Sequence, residues 1–288
     1  AFKSHDRTGS FNKKVLRPSL RKEMARQAIN DHRVTVRLAC QAFKISETCY
    51  RYDPKLSSEN ELIADWLLRL TTTHKQWGFG LCFMYLRNTK GFKWNHKRVY
   101  RIYKQLELNL RIKPRRRIKR DKPEALSVPL SINQTWSIDF MSDSLNTGRK
   151  IRTFNVIDDY NRECLGIEVD HSLPAQRVIK SLEQLIEWRG KPKAIRCDNG
   201  PEYISHALRE WAQAMDIELM YIQPGKPTQN AYIERFNRTA RNEWLNMHIF
   251  DSIEHAQSLA TQWMWVYNNE RPHSSIGGIP PRKLLEAI

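Results

Sequence analysis

The sequence contains few cysteines and no long apolar run. Its five cysteines are odd in number and widely scattered, and no two are separated by just two residues, which disfavours both a disulfide framework and a zinc module. No stretch approaches the ~18 consecutive apolar residues of a membrane span, and the first thirty residues lack the apolar segment of a secretory signal. These absences predict a soluble, non-secreted protein with reduced thiols.

Acidic residues are scarce in the first half of the chain. Residues 1–134 hold 30 Lys plus Arg against 11 Asp plus Glu, a net charge of +19, whereas residues 135–288 have a net charge of −2. A hydrophobic content of 40% is enough to form real cores, which argues against a disordered basic tail. The asymmetry indicates a polyanion-binding module joined to a part that does other work.

The charge and hydropathy patterns predict four segments. Residues 1–20 are polar and irregular, and residues 21–110 form a helical, helix-turn-helix-like DNA-binding region in which Ser46 starts a helix. A basic linker over residues 111–134 follows, and a second domain covers residues 135–288. Because the chain opens on Ala1 rather than Met, we expect that it is a trimmed form or the tail of a preceding segment.

Two helices within the helical region have distinct faces. Leu62, Ile63, Trp66, Leu67 and Leu70 recur with helical spacing and predict one buried stripe. A later helix, residues 95–104, places Val99, Ile102 and Tyr103 inward. Its outward side chains are basic, so they either contact DNA phosphates or form an ordinary solvated face. The candidate phosphate-binding residues are Lys97, Arg98, Arg101 and Lys104, together with Arg115, Arg116 and Arg117 in the linker.

The second half changes to alternating strands and helices. Three strands with short polar turns predict an antiparallel meander, and helices and strands then alternate in the order βββαβαβα. This order is that of a ribonuclease H-like α/β fold, a mixed sheet with helices on its faces. The predicted elements are strands 136–141, 153–158, 164–169, 194–197 and 218–222, and helices 175–188, 203–215 and from about 228.

Three acidic residues lie at positions that this fold would bring close together. Asp139 lies in the first strand, Asp198 directly follows the fourth, and Glu234 lies on the helix after the fifth. Phosphodiester chemistry uses two divalent cations held by hard oxygen ligands, and three convergent carboxylates supply such ligands, with Asp139 bridging both ions. An isolated acid in a strand is often only an edge residue, and Asp143, Asp158 and Asp159 are alternative acids.

The helix that carries Glu234 has two faces. Ile233, Phe236, Ala240 and Trp244 form an apolar stripe predicted to pack on the sheet. The second face predicts a surface that holds a metal and contacts phosphates, and residues 223–230 before it have too many breakers for regular structure, so we expect a substrate-contacting loop there. The candidate DNA-binding residues of this loop and face are Lys226, Asn230, Arg238 and Arg241.

Several motifs carry a resemblance to a known family. They are Trp136-Ser-Ile-Asp139, Cys197-Asp-Asn-Gly-Pro-Glu-Tyr203, residues 223–237 from Gln223 to Asn237, and Tyr267-Asn-Asn-Glu-Arg-Pro-His273. The stretch from Trp136 to about Leu284 resembles the catalytic core of the DDE transposases and retroviral integrases, most closely the OrfB-type transposase of the bacterial insertion-sequence-three family. The resemblance covers roughly half of the chain.

The resemblance implies a mechanism and partners. Asp139, Asp198 and Glu234 would be the catalytic triad and the metal ligands, with two Mg²⁺ ions per site and Mn²⁺ as a substitute. The substrates would be the terminal inverted repeats of an insertion sequence and target DNA, cleaved and joined through a freed 3′-hydroxyl. Self-association in the active complex, an upstream OrfA-type partner and a place on the nucleoid in the bacterial cytoplasm are further expectations.

Two features that the sequence lacks narrow the resemblance to one branch of the family and to one part of its full-length enzyme. The N-terminal zinc site of retroviral integrases has no counterpart in this sequence, which favours the bacterial branch. No leucine heptad precedes residue 20, so we expect the downstream product or a truncation of a frameshifted fusion. Two other functions stay open at this point. One is a ribonuclease H-like nuclease without strand transfer, and the other is a non-catalytic DNA-binding transposase remnant or regulator.

Overall fold

The chain divides into two compact units, Ala1–Ser58 and Glu59–Ile288. The helices of residues 59–110 thus lie in the same unit as the sheet, whereas the sequence pattern groups them with residues 21–52. Most of the basic linker, including Arg115, Arg116 and Arg117, falls outside the described residues. The computed structural model describes residues 18–52, 58–110, 126, 128–200, 202–223 and 227–286. Across those residues, no helix combines the length and the apolar character needed to cross a membrane.

Within residues 18–52, the part of the first unit that the structure describes, there are three helices, α1 (Pro18–His32), α2 (Val36–Ala42) and α3 (Glu47–Arg51). Side chains cap the second and third helices, since Thr35 accepts from the backbone of Leu38 and Ser46 accepts from that of Cys49. The predicted helix start at Ser46 is confirmed. The prediction of an irregular segment to residue 20 is wrong for residues 18–20, because α1 begins at Pro18, whose fixed φ suits a first helical position.

The second unit begins with helices α4 (Ser58–Thr73), α5 (Phe79–Met84) and α6 (His96–Gln105). They enclose their own apolar core, to which α4 contributes Ile63, Leu67 and Leu70. Leu62 is wrongly predicted to be buried: it is 44% exposed, because the buried stripe of α4 is narrower than the run of apolar residues. On α6 the predicted inward residues are confirmed as buried.

A π-helical turn, Tyr85–Thr89, is hydrogen-bonded to residues near the C-terminal end of the described chain. Asn88 donates from Nδ2 to the carbonyl of Gly278 at 2.8 Å, and Lys283 donates from Nζ to the carbonyl of Asn88 at 2.7 Å. Gly278 has φ +74°, and a Cβ atom there would lie 2.9 Å from Asn88 Nδ2 and from the sulfur of Met84. Only glycine therefore permits this close approach.

A five-stranded mixed sheet forms the centre of the second unit. Its spatial order is β3-β2-β1-β4-β5, with β1, β2 and β3 antiparallel and β4 and β5 parallel to β1. This arrangement confirms the ribonuclease H-like fold expected from the element order. The strands are β1 (Thr135–Ser144), β2 (Lys150–Asp158), β3 (Cys164–Asp170), β4 (Ala194–Cys197) and β5 (Glu218–Tyr221).

Helices cover both faces of the sheet and enclose two cores. One core packs the sheet against α7 (Ala175–Arg189) and α8 (His206–Ala214). The other packs it against α9 (Ala231–Glu243) and α10 (Ile253–Asn269), and a short α11 (Pro281–Leu285) follows. The alternation of side chains along the strands, characteristic of a sheet buried on both faces, supplies both cores.

The segment before α9 differs from its prediction. Residues 223–230 were expected to be an irregular loop, but Pro227–Asn230 forms a 3₁₀ turn that runs directly into α9. Proline is compatible with the first turn of such a helix, because its missing N–H has no intrahelical partner there. Lys226 lies outside the described residues.

Candidate active site

The register of the sheet places two aspartates side by side. Ser137 of β1 lies opposite Arg196 of β4 in the parallel pair. Asp139 lies two residues further along β1, and Asp198 directly follows the last residue of β4. Continuing the register places the two aspartates level, on the face that packs against α9, because side chains alternate with a period of two. Two of the three predicted acids are therefore positioned by backbone hydrogen bonding.

The carboxylate of Asp139 is partly buried and held at both oxygens. Oδ1 accepts from the backbone N–H of Phe140 at 2.8 Å, and Oδ2 accepts from Nδ2 of Asn237 at 2.7 Å. Asn237 in turn accepts from Nδ2 of Asn155 at 2.8 Å. Asn155 is fully buried on β2, so this chain of amides reaches Asp139 from the interior of the protein.

Asp198 caps the turn that follows β4. Its Oδ1 accepts from the backbone N–H of Gly200 at 2.9 Å. A Cβ atom on Gly200 would lie 2.9 Å from the same oxygen, so the turn can close tightly only around glycine. The sequence Asp-Asn-Gly thus fixes the direction of the Asp198 carboxylate through a local hydrogen bond.

Glu234 lies in the first turn of α9 and is exposed. A carboxylate in the first turn is stabilised by the helix dipole. Asn237 follows three residues later, close to one turn along the helix, so the two side chains lie on neighbouring positions of one face. The helix therefore presents Glu234 and the amide that holds Asp139 towards the same side of the sheet.

Electrostatics link the three acids. Burial, together with the negative charges of Asp198 and Glu234, raises the pKa of Asp139 to about 6, although the hydrogen bonds from Phe140 and Asn237 oppose the shift. Each carboxylate is a hard oxygen ligand of the kind that Mg²⁺ prefers, so the donor set fits a divalent cation. In the described part of the chain, no three His, Cys, Asp or Glu side chains form a group that could hold a metal ion.

An aromatic and charged cluster supports the segment around Asp198. Phe140 stacks on Tyr203 with ring centroids 5.0 Å apart, and the guanidinium of Arg152 lies 4.3 Å above the Phe140 ring. Arg152 also forms an ion pair with Glu202, which lowers the pKa of that carboxyl. Through these contacts, the residues after Asp198 pack against β1 and β2.

The three alternative acids have other partners. Asp143 forms an ion pair with Arg241 at 3.1 Å. Asp158 accepts backbone hydrogen bonds from Asn133 and Tyr160. Asp159 is fully buried and pairs with Arg196, so each of these carboxylates has a structural role.

Some of the predicted DNA-binding side chains are exposed, whereas others are buried or already bonded to other residues of the protein. Arg238 is exposed, but Arg241 is directed to Asp143 and to the carbonyl of Ser142. Asn230 is buried, and its Oδ1 has no hydrogen-bond partner in the described part of the chain. On α6 the exposed side chains are Lys97, Arg101 and Lys104, whereas Arg98 donates to Glu59 and Asn60.

Two supporting residues have no functional assignment from the sequence. Asn155 lies within a buried strand, where the alternating pattern predicts only a core position. Asn237 belongs to one of the motifs that carry the family resemblance. Its position three residues after Glu234 is the sequence feature that could have identified it. Neither residue is acidic, so a search for metal ligands does not find them.

Comparisons with known proteins support a family assignment. The sequence matches the Integrase core domain family over residues 130–227 and again over residues 215–281. It is 39% identical over 248 residues to the insertion element IS407 uncharacterized 31.7 kDa protein of Burkholderia multivorans, covering 86% of this chain and 89% of that protein.

Two further relatives come from other insertion elements. The insertion element IS476 uncharacterized 39.2 kDa protein of Xanthomonas euvesicatoria is 38% identical over 278 residues, covering 95% of this chain and 79% of that protein. Transposase InsD for insertion element IS2A/D/F/H/I/K of Escherichia coli is 28% identical over 200 residues, which is 66% of each chain. The similarity to the first two relatives extends well beyond the sheet and its helices.

Proposed function

Because the chain belongs to the bacterial insertion-sequence-three family of DDE transposases, whose integrase core serves transposition and DNA integration, we propose that Asp139, Asp198 and Glu234 are its catalytic triad. The proposed substrates are the terminal inverted repeats of an insertion sequence and a target DNA. The proposed reaction is strand cleavage followed by transfer of the freed 3′-hydroxyl into the target.

The proposed chemistry has two displacements at phosphorus. In the first, a water oxygen attacks the phosphate at the element end, the P–O3′ bond breaks, and the element keeps a 3′-hydroxyl while the flank keeps a 5′-phosphate. In the second, that hydroxyl loses its proton and attacks a target phosphate, whose own 3′-oxygen leaves. Both steps proceed without a covalent link to the protein.

The three carboxylates would hold the metal ions. Two Mg²⁺ ions bound there, or Mn²⁺ in their place, would activate the attacking oxygen and stabilise the leaving oxygen. Asp139 is suited to a shared ligand, because the charges of Asp198 and of Glu234 both act on its carboxylate. This position carries the proposal.

Basic side chains would bind the DNA. Lys97, Arg101 and Lys104 are exposed on α6, and Arg238 is exposed one turn after Glu234. The net charge of +19 on residues 1–134 supports phosphate binding mainly by that half. Lys226, Asn230, Arg241 and the linker arginines are further proposed contacts. We also propose self-association in the active complex, an OrfA-type partner and action on nucleoid DNA in the bacterial cytoplasm.

The experiment is cleavage of an end-labelled duplex that carries the terminal inverted repeat of the element encoding the chain. Asp198→Asn should reduce cleavage in Mg²⁺ by at least ~100-fold, because it removes an anionic ligand, and should leave duplex binding within about twofold. The control is Asp216→Asn, which makes the same change on a fully exposed side chain. Cleavage by Asp198→Asn at the rate of this control would refute the triad.

A further inference from the structure

A basic groove runs along one side of α9. Its main cavity measures about 490 Å³ and is lined by Arg162, Arg235, Arg271 and Thr239, above an apolar floor that includes the half-buried Leu81 and Tyr232. A second cavity of about 270 Å³ shares Arg235, Thr239 and Arg271 with the first and adds Arg238. The two cavities therefore adjoin at these shared residues, and four arginines line them.

The positive charge of the groove exceeds its negative charge. Glu243 accepts three hydrogen bonds of 2.8–3.0 Å from Arg271, so this pair is neutral. Arg162 donates to the main-chain carbonyl of Asp159, and Arg235 is exposed. Within the described ranges, neither Arg162 nor Arg235 forms an ion pair with a carboxylate.

Arg162 is held in place by an unusual backbone and by an aromatic ring. Its φ is +65°, in the left-handed region that non-glycine residues seldom adopt. Its guanidinium lies 3.4 Å from the centre of the Tyr232 ring, and the residue is only 7% exposed. The turn between β2 and β3 and the Tyr232 ring thus fix the position of this guanidinium in the wall of the cavity.

The pKa of His273 reflects the positive charge of the same arginines. Burial, together with the charges of Arg271, Arg235 and Arg162, lowers the pKa of this histidine to about 3. Three guanidinium groups therefore converge on one cavity from the turn after β2, from α9 and from the segment after α10. The convergence is tertiary, since the three residues are far apart in sequence.

We propose that this groove binds one strand of DNA in single-stranded form, with its backbone phosphates at Arg162 and Arg235 and a base against the apolar floor. The inference rests on the proposed function, which brings DNA to Glu234. A cavity of about 490 Å³ is within the usual size range of ligand pockets, so it can take a single nucleotide of a strand. Arginines combined with aromatic and apolar surface are the usual means of binding single strands without sequence preference.

The position of the groove gives it a role in the reaction. Arg235 follows Glu234 directly, and Arg238 lies one turn further along α9 on the side of the second cavity. Both arginines therefore point to the side of the groove, Arg235 about 100° and Arg238 about 40° around the helix from Glu234. The groove would hold a strand that has separated from its complement beside the catalytic carboxylates.

The test measures binding of a fluorescein-labelled oligothymidylate of about twelve nucleotides to the full chain by fluorescence anisotropy. Arg235→Gln should weaken binding by roughly tenfold, the loss expected for one charge-assisted hydrogen bond, and Arg235→Lys should recover part of it. The control is Arg177→Gln, which removes an arginine of α7 that is paired with Glu168 and Asp170 on the opposite face of the sheet, and it should bind like the wild type.

The outcomes separate this inference from the proposed function. Equal oligothymidylate affinity of Arg235→Gln and Arg177→Gln, or no binding by the wild type, would overturn the groove even if the element end is cleaved. Displacement of the oligonucleotide by an equal concentration of thymidine monophosphate would also overturn it, because the groove would then be a free-nucleotide site. Selective loss in Arg235→Gln without any cleavage of the element end would retain the groove and refute the proposed reaction.

Discussion

Asn237 donates a hydrogen bond of 2.7 Å from its Nδ2 to Oδ2 of Asp139, and so connects α9 to the middle of β1. The same side chain accepts from Asn155 on β2, so the amide cannot rotate without losing both partners. The orientation of the Asp139 carboxylate is therefore determined by two neutral residues on two other elements.

Replacement of Asn237 by alanine is expected to lower cleavage of the element end by about 10- to 100-fold, the usual cost of losing a residue that orients a metal ligand. The Mg²⁺ concentration for half-maximal rate should rise, because the carboxylate must then be ordered by the ion. Asn246→Ala, at an exposed amide after α9, is the control. A variant with lower thermal stability but an unchanged Mg²⁺ requirement would show that Asn237 only supports the fold.

Strand transfer should be separable from cleavage. Supplied with an element end already cut to expose its 3′-hydroxyl, the wild-type chain is expected to produce a joined product with plasmid DNA, and Asp139→Asn should produce none. Gel analysis of labelled ends measures both. Cleavage of intact ends without joining of the pre-cut ends would instead identify a nuclease that does not transfer strands.

The exposed basic face of α6 should determine part of the salt dependence of duplex binding. Removing one phosphate-binding charge reduces the slope of log K against log salt concentration by about 0.9, so replacing Lys97, Arg101 and Lys104 by glutamine should reduce it by up to about 2.7. The control replaces Lys180, Lys191 and Lys193, three exposed lysines of the second domain. If both triple variants gave the same slope, α6 would not bind DNA.

Folding stability should fall in acid partly because of His273. Its pKa is lowered from 6.5 to about 3 by burial and nearby arginines, so between these values the unfolded chain binds a proton that the folded chain does not. Stability from this group is thus present above pH 6.5 and lost as the pH falls, by about 2 kcal/mol at pH 5. Urea unfolding of His273→Gln should show a correspondingly smaller difference between pH 8 and pH 5. An identical difference in both proteins would contradict this assignment.

Gly278 should tolerate no side chain. Gly278→Ala introduces a strained backbone at φ +74° and a Cβ atom 2.9 Å from Asn88, so we expect a loss of about 1–3 kcal/mol in the free energy of unfolding. Gly80→Ala is the control, because a Cβ atom there meets nothing within 4 Å and alanine favours the helix. Denaturant unfolding measures both, and equal stability of the two variants would exclude the proposed strain.

The sequence predicts the elements of the second domain because its apolar residues follow the periods of strand and helix. Strand β4 has its predicted limits, and the stripe Ile233, Phe236, Ala240 and Trp244 is buried as expected. Periodicity also predicts which face of α9 bears Glu234. These features depend on local spacing alone, so they can be obtained without knowledge of tertiary contacts.

Features that depend on neighbouring elements could not be predicted in this way. Periodicity placed Arg98 and Arg241 outward, but Glu59 and Asp143 come from other elements and pair with them. Asn155 was indistinguishable from a core position until α9 placed Asn237 beside it. The groove likewise requires three segments to meet, which no local pattern encodes.

The parallel register of β1 and β4 also determines which insertions and deletions the protein can accept during evolution. Because Asp139 and Asp198 are level through the pairing of Ser137 with Arg196, the number of residues between them along the chain has no influence on their spacing. Insertions in the connections near residues 146–149 or 190–193 should therefore be tolerated during evolution. A deletion of one residue between Trp136 and Asp139 would turn the first aspartate to the opposite face, and such a lineage would keep a sheet but lose its chemistry.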